Sequence, residues 1–202
     1  VTAPSNHDPV TVTDHAGREV VIEKEPQRLV SCYYITSSLL IALDLDDQIV
    51  GIENNPEKRA IYGLSSPELL SMPQIGTAKE LDIEACAALE PDLLVLPMKL
   101  KSIVPTLEEL GLTVLIVDPE DQERVNGMIQ LVGQATNRND LAESLLAWIA
   151  QQQAFLHLNA GGNGHNLHAV GGLLAVLGLH GDLGGTGGNA VFPGQYIAGK
   201  TG

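Results

Sequence analysis

The sequence predicts an α/β fold: a parallel Rossmann-like sheet flanked by helices, preceded by a β-hairpin and followed by one long helix. Three observations predict it. Short runs that are apolar at nearly every position recur after Pro26, segments with helical spacing separate them, and an alternating apolar pattern opens the chain. The opening VTVTD and REVVIE around residues 14–17 put apolar side chains on one face of two short strands joined by a turn. The apolar runs are residues 28–32, 48–52, a short one near 73–76, 92–96 and 113–117. Strands covered by helices on both faces require such runs. Helical patterns at 36–43, 67–71, 83–89, 103–110 and 122–136 fall between them, the spacing of right-handed crossovers in a parallel sheet.

Residues 140–156, rich in helix formers and free of Gly and Pro, predict the long helix. Beyond it the composition changes, with 14 of the 21 glycines and four of the six histidines between 157 and 202. Glycine weakens helix and strand interiors by ~0.5–1 kcal/mol relative to alanine. The chain therefore divides into an α/β lobe at 1–139, a connecting helix at 140–156, and at 157–202 a Gly-rich divergent tail or the remnant of a second lobe. His157, His165, His168 and His180 invite a metal reading, but no Cys or acidic cluster accompanies them. No metal site is assigned.

With 25 acidic against 11 basic residues, the net charge of -14 repels nucleic acid and anionic membranes, so nucleic-acid binding is excluded as a function class. Two cysteines, Cys32 and Cys86, neither establish a disulfide framework nor supply a metal cluster. No run approaches the ~18–20 apolar residues of a membrane span. No basic-then-apolar export signal opens the sequence, and any signal peptide is expected to have been removed or omitted.

In an open α/β sheet, ligands bind outside the carboxyl ends of the strands. That rule selects residues 32–35, 53–62, 77–81, 97–101 and 118–121. Five of the 11 basic residues, Lys58, Arg59, Lys79, Lys99 and Lys101, lie there, as do Asn54, Tyr33, Tyr34, Tyr62 and Met98. A basic rim on an acidic body favours an anionic ligand, and Arg59 is the candidate for a bidentate carboxylate contact. Aromatic faces beside cations suit flat or aromatic ligands. Two readings stand for the lysines, a ligand rim or a solvated surface, and two for the tyrosines, ligand contact or core packing.

Four phrases in order, VTVTDHAGREVVIEKEPQRLVS, SSLLIALDLDDQIVGI, IGTAKELDIEACAALEPDLLVL and LEELGLTVLIVD, resemble the metal-chelate class of ABC-transporter substrate-binding proteins, over residues 10–156. This class includes siderophore, haem and vitamin B12 receptors. The resemblance implies two α/β lobes joined by a long helix, with the ligand between them. A ferric siderophore, haem or a corrinoid is the implied ligand, and no intrinsic cofactor is expected. It also implies a periplasmic or lipid-anchored location on the outer face of the cytoplasmic membrane and an ABC permease as partner. Glu84 matches a surface acid of the family that meets the permease. Met98 is either a soft ligand contact or a gap-filler. The family's second lobe is missing or unrecognisable in 157–202, so this chain is expected to bind its chelate weakly or not at all.

The alternatives are a Rossmann-like nucleotide-dependent enzyme and a non-binding interaction lobe. Against the first, no G-x-G-x-x-G, P-loop or G-x-S-x-G motif is present. Ser31, His15 and Asp118 have no spacing that groups them, and no catalytic residue is assigned.

Overall fold

The computed structural model describes residues 8–159. Strands β1 (Val10–Thr13) and β2 (Glu19–Ile22) form the antiparallel hairpin, with Val12, Val20 and Ile22 turned inward. Next come β3 (Leu29–Ser31), α1 (Tyr34–Ala42), β4 (Ile49–Gly51) and the six-residue α2 (Ala60–Ser65). A small antiparallel pair, β5 (Gly76–Thr77) and β6 (Glu80–Leu81), leads to α3 (Ile83–Ala88) and β7 (Leu93–Pro97). Finally α4 (Val104–Glu109), β8 (Val114–Val117), α5 (Gln122–Ala135) and α6 (Asn139–Asn159) complete the chain.

β3, β4, β7 and β8 make one parallel sheet in the order β4-β3-β7-β8. Its strands separate two apolar clusters, because successive residues point to opposite faces. Leu93 and Val95 of β7 and Leu115 and Val117 of β8 join α1, α5, α6 and the hairpin on one side. Leu94, Leu96, Val114 and Ile116 join α3 and α4 on the other. Both faces of the sheet are thus buried, as the unbroken apolar runs predict.

The run at 73–76 departs from expectation. It contributes a single parallel bridge, Ile52 to Gln74, and then turns into β5. Pro73 has no N–H to continue a ladder, and Gly76 adopts φ 139, a conformation open to glycine alone. A Cβ at Gly76 would lie 2.3 Å from the Glu80 carbonyl oxygen. The helix expected at 67–71 is a five-residue 3-10 segment, and α2 just before it is unforeseen.

Among the described residues β8 is an edge strand, and the hairpin turn covers it. The His15 N–H donates to the Ile116 carbonyl (3.0 Å), the Ile116 N–H to Asp14 Oδ2 (3.2 Å), and the Asp118 N–H to His15 Nδ1 (2.9 Å). Two side chains and one amide replace the missing neighbour strand, which leaves no open ladder there for another chain to join.

α6 extends the predicted helix to Asn139–Asn159 and packs on α5. Gly133 makes their close approach possible, since a Cβ there would stand 2.6 Å from the Cβ of Ala142. No helix among the described residues is long and apolar enough to cross a membrane. The Gly-rich segment expected at 157–202, with His165, His168 and His180, lies outside the described residues, apart from 157–159, which end α6.

Candidate ligand-binding edge

The strand order sets the location of the site. From β3 the chain crosses to β4 on one side, and from β7 it crosses to β8 on the other. Connections that leave adjacent strands in opposite directions open a crevice at their carboxyl ends. Tyr33 and Tyr34 follow β3, and Met98 and Lys99 follow β7. The loop after β4 brings Asn54, Lys58 and Arg59 to the same edge.

Within that edge an ordered strip is formed. The Arg59 guanidinium lies over the Tyr34 ring, 4.1 Å from its centroid, close enough for a cation–π contact. Tyr33 and Tyr34 meet edge to face at 5.3 Å and 78°. Burial, aided by Tyr34, Asp118 and Glu120, pushes the Tyr33 phenol up to about 12. At neutral pH it is a hydrogen-bond donor. Beyond it Asp118 pairs with Arg124 of α5.

The remaining candidates divide. Lys58, Lys79, Lys99 and Lys101 are exposed, and Met98 is half-buried. Asn54 is exposed but holds the fold: its Oδ1 accepts the Gly76 N–H (3.2 Å) and its N–H donates to the Gly76 carbonyl (2.7 Å). That pins the turn carrying Lys79 beside the edge. Glu84 is exposed in the first turn of α3, whose N-cap Asp82 accepts the Ala85 N–H.

Tyr62 is the exception, because α2 turns its ring wholly inside. Its hydroxyl donates to Glu53 Oε1 at 2.5 Å, so of the two readings for this tyrosine the structure gives core packing. Glu53 itself is a residue the sequence reading missed. It is buried just past β4, and it also accepts the Ser37 hydroxyl at 2.7 Å. The available signal was a carboxylate directly continuing the apolar run 48–52.

Ser31, His15 and Asp118 form no catalytic relay. The His15 imidazole accepts from the backbone N–H of Asp118, whose carboxylate pairs with Arg124, while Ser31 is tied to Ser37 and the Tyr33 carbonyl. Cys32 and Cys86 are buried free thiols, raised by burial to about 12 and about 11. Neither is a nucleophile at neutral pH.

The hydrogen bond to His15 Nδ1 requires a neutral imidazole. Burial lowers its pKa from the ordinary 6.5, and Arg124 lowers it further, outweighing the opposite pull of Asp118 and Asp14. The unfolded chain therefore binds this proton at higher pH than the folded one. The bond's contribution is complete above 6.5 and is lost as pH falls through the lowered folded value. Urea unfolding at about pH 7.5 and about pH 5.5 should show a loss of stability in the native chain that shrinks in His15→Gln. An unchanged difference would remove His15 from this role.

Comparison with known proteins agrees with this architecture. The model of the family described as periplasmic binding protein matches residues 29–155. A Bacillus subtilis protein described as an uncharacterised ABC transporter substrate-binding lipoprotein, YvrC, is 27% identical over 143 residues, covering 68% of this chain and 43% of its own. The molybdate-bound structure of Haemophilus influenzae MolA superposes with a TM-score of 0.67 at 19% identity, over 73% of this chain and 52% of that one. The siderophore-binding protein BauB, bound to acinetobactin and ferric iron, gives 0.63 at 19% identity, over 77% and 56%. These two structures show a shared fold. The chain spans about half the length of these relatives. As the family's model covers β3 to α6, the sheet and both helical layers around the edge just described, the chain belongs to the periplasmic binding protein family.

Proposed function

We propose that the chain is the amino-terminal lobe of the extracytoplasmic solute-binding component of an ABC importer, and that its carboxyl edge holds one face of an anionic metal chelate. A ferric siderophore is the first candidate, with haem or a corrinoid next. The observation that carries this reading is the Arg59–Tyr34–Tyr33 strip at the switch point of a family member's sheet. An aromatic surface offers apolar area to a flat ligand, and the guanidinium answers its charge. The Tyr33 phenol, protonated at neutral pH, is available to donate a hydrogen bond to ligand, which suits a metal already enclosed by its chelator. BauB, with its ferric siderophore, supports the ligand class, and YvrC's description supports a location outside the cytoplasmic membrane.

MolA, with molybdate, supports a second reading, a bare oxyanion. Titrating gallium citrate, a gallium catecholate, haemin, cyanocobalamin and sodium molybdate against the chain separates the two. Saturable binding of an anionic chelate with molybdate inert supports the proposal, and the reverse assigns the oxyanion. No binding by any of them up to about millimolar concentration rejects both as activities of this chain alone.

Glu84 is proposed to orient docking on the permease. α3 feeds β7 at its amino end, so the first turn of α3 lies toward the ligand edge. A charged group there steers encounter more than it adds ligand affinity. Glu84→Lys should impair uptake in cells carrying the cognate permease while chelate affinity changes by less than about twofold. Equal loss of both would reject the docking role.

A further inference from the structure

We propose that Glu53 is a positioning residue that holds the Arg59–Tyr34 pair in place from beneath the ligand edge. The inference rests on the reading of that edge as the ligand face. Glu53 lies past the end of β4, only 5% exposed, and its two oxygens accept from two helices. Tyr62 of α2 donates to Oε1 at 2.5 Å, and Ser37 of α1 donates to Oε2 at 2.7 Å. Both donors stand three residues into the chain from the two groups that meet at the surface. Ser37 follows Tyr34 by one turn and Tyr62 follows Arg59 by one turn, each locked to that turn by backbone bonds, Ser37 N–H to the Tyr33 carbonyl (3.0 Å) and Tyr62 N–H to the Arg59 carbonyl (3.1 Å). A second thread reinforces the first, since the Tyr62 hydroxyl lies 3.5 Å from the Tyr34 carbonyl and Ser37 Oγ lies 2.9 Å from Ser31 Oγ at the end of β3.

The clamp therefore joins the amino ends of α1 and α2 one turn below the surface. α2 has only six residues, and neither helix has a side-chain N-cap. Bonds within each turn shape its own end, and the shared carboxylate is what ties the two ends to each other. A buried carboxylate held by two hydroxyls is a strong tether, because bonds to a charged acceptor are short and about twice as strong as neutral ones. Groups that meet ligand gain from being locked by partners behind them, and Glu53 is the partner shared by both.

Charge alone makes the opposite prediction. Removing a buried negative group near Arg59 strengthens the pull on an anion, whereas removing a tether weakens binding by loosening the surface pair. Glu53→Gln, Tyr62→Phe and Ser37→Ala are compared with the native chain by NMR. In the native chain the Arg59 Nε–H resonance is expected to be shifted upfield by the Tyr34 ring beneath it. All three variants should lose most of that shift while the amides of β3, β7 and β8 keep their positions. Affinity for gallium citrate should fall about tenfold in each, as expected when preorganisation is lost. Tyr62→Phe, which removes one oxygen and no charge, keeps the test valid if Glu53→Gln unfolds. A retained upfield shift in Tyr62→Phe and Ser37→Ala, or tighter binding by Glu53→Gln, overturns the proposal. If gallium citrate fails to bind the native chain, the ligand reading fails, and the ring shift still decides the clamp.

Discussion

Replacing Arg59 by Ala is expected to raise the Kd for an anionic chelate by roughly ten- to a hundredfold, the equivalent of about 1.5–3 kcal/mol for a lost bond to a charged group. Arg59 is half-buried, so its charge acts through less water than that of a solvated lysine. It is also held over the Tyr34 ring, so little side-chain freedom remains to be lost on binding. Lys58, Lys79 and Lys99 are exposed, and alanine at any of them should cost far less, within the range of surface ion pairs, about 1 kcal/mol or below. Arg59→Lys keeps the charge but gives up the planar fork and the stacked geometry, and should fall nearer to alanine than to the native chain. Isothermal titration of the native chain and the variants with one chelate checks the ranking. Equal effects of Arg59→Ala and Lys99→Ala would show that general attraction, rather than this side chain, governs the edge.

Asp14→Ala should be the most damaging single change to stability outside the apolar core. Its side chain is completely buried and accepts four donors: the N–H groups of Ala16 and Arg18 (both 2.9 Å), Arg18 Nη1 (3.0 Å) and the Ile116 N–H (3.2 Å). Alanine unmakes the turn and strips the acceptor from an edge-strand amide. A buried N–H left unmade costs about 1–3 kcal/mol. The ion pair adds less than about 1 kcal/mol, because Arg18 is partly exposed and keeps Glu108 as a second partner. A loss of about 3 kcal/mol is expected in urea unfolding, a large share of the ~5–15 kcal/mol that stabilises a typical domain. The uncovered edge of β8 should also promote self-association, visible by sedimentation. Asp14→Asn keeps an oxygen for the turn and should recover part of the loss. Unfolding of Asp14→Ala within about 0.5 kcal/mol of native would refute the edge-cap role.

Much of the architecture is legible in the sequence because each parallel strand must be apolar on both faces. The runs at 92–96 and 113–117 could be placed to within a residue of β7 and β8. Periodicity fails where elements are too short to display it. α2 spans six residues and includes Gly63, and at 67–71 the pattern marks a helical segment without telling a 3-10 turn from an α-helix. The run at 73–76 misleads because Pro73 and Gly76 are read by hydropathy as neighbours of an apolar strand, while the backbone they impose leaves the sheet.

The candidate site divides along the same line. Tyr33, Tyr34, Arg59, Met98 and Lys99 follow from one rule, that loops after parallel strands share an edge. Tyr62 falls to that edge in the sequence because its segment reads as loop, whereas α2 turns its ring inward. The contacts invisible to sequence are those between distant segments. His15 reaches the Asp118 amide across 103 positions, and Glu53 joins two helices through side chains whose spacing is ordinary.

Chemical-shift mapping with gallium citrate tests the ligand edge most directly. Titration should move the amides of Tyr33, Tyr34, Arg59, Met98 and Lys99 together along one saturable curve. The opposite edge, where Asp46, Asp47 and Glu68 gather before β4, should stay still. Such a pattern is the result expected if the switch-point strip receives an anionic chelate. Shifts confined to the Asp46 side, or none at the Arg59 amide on saturation, would contradict it.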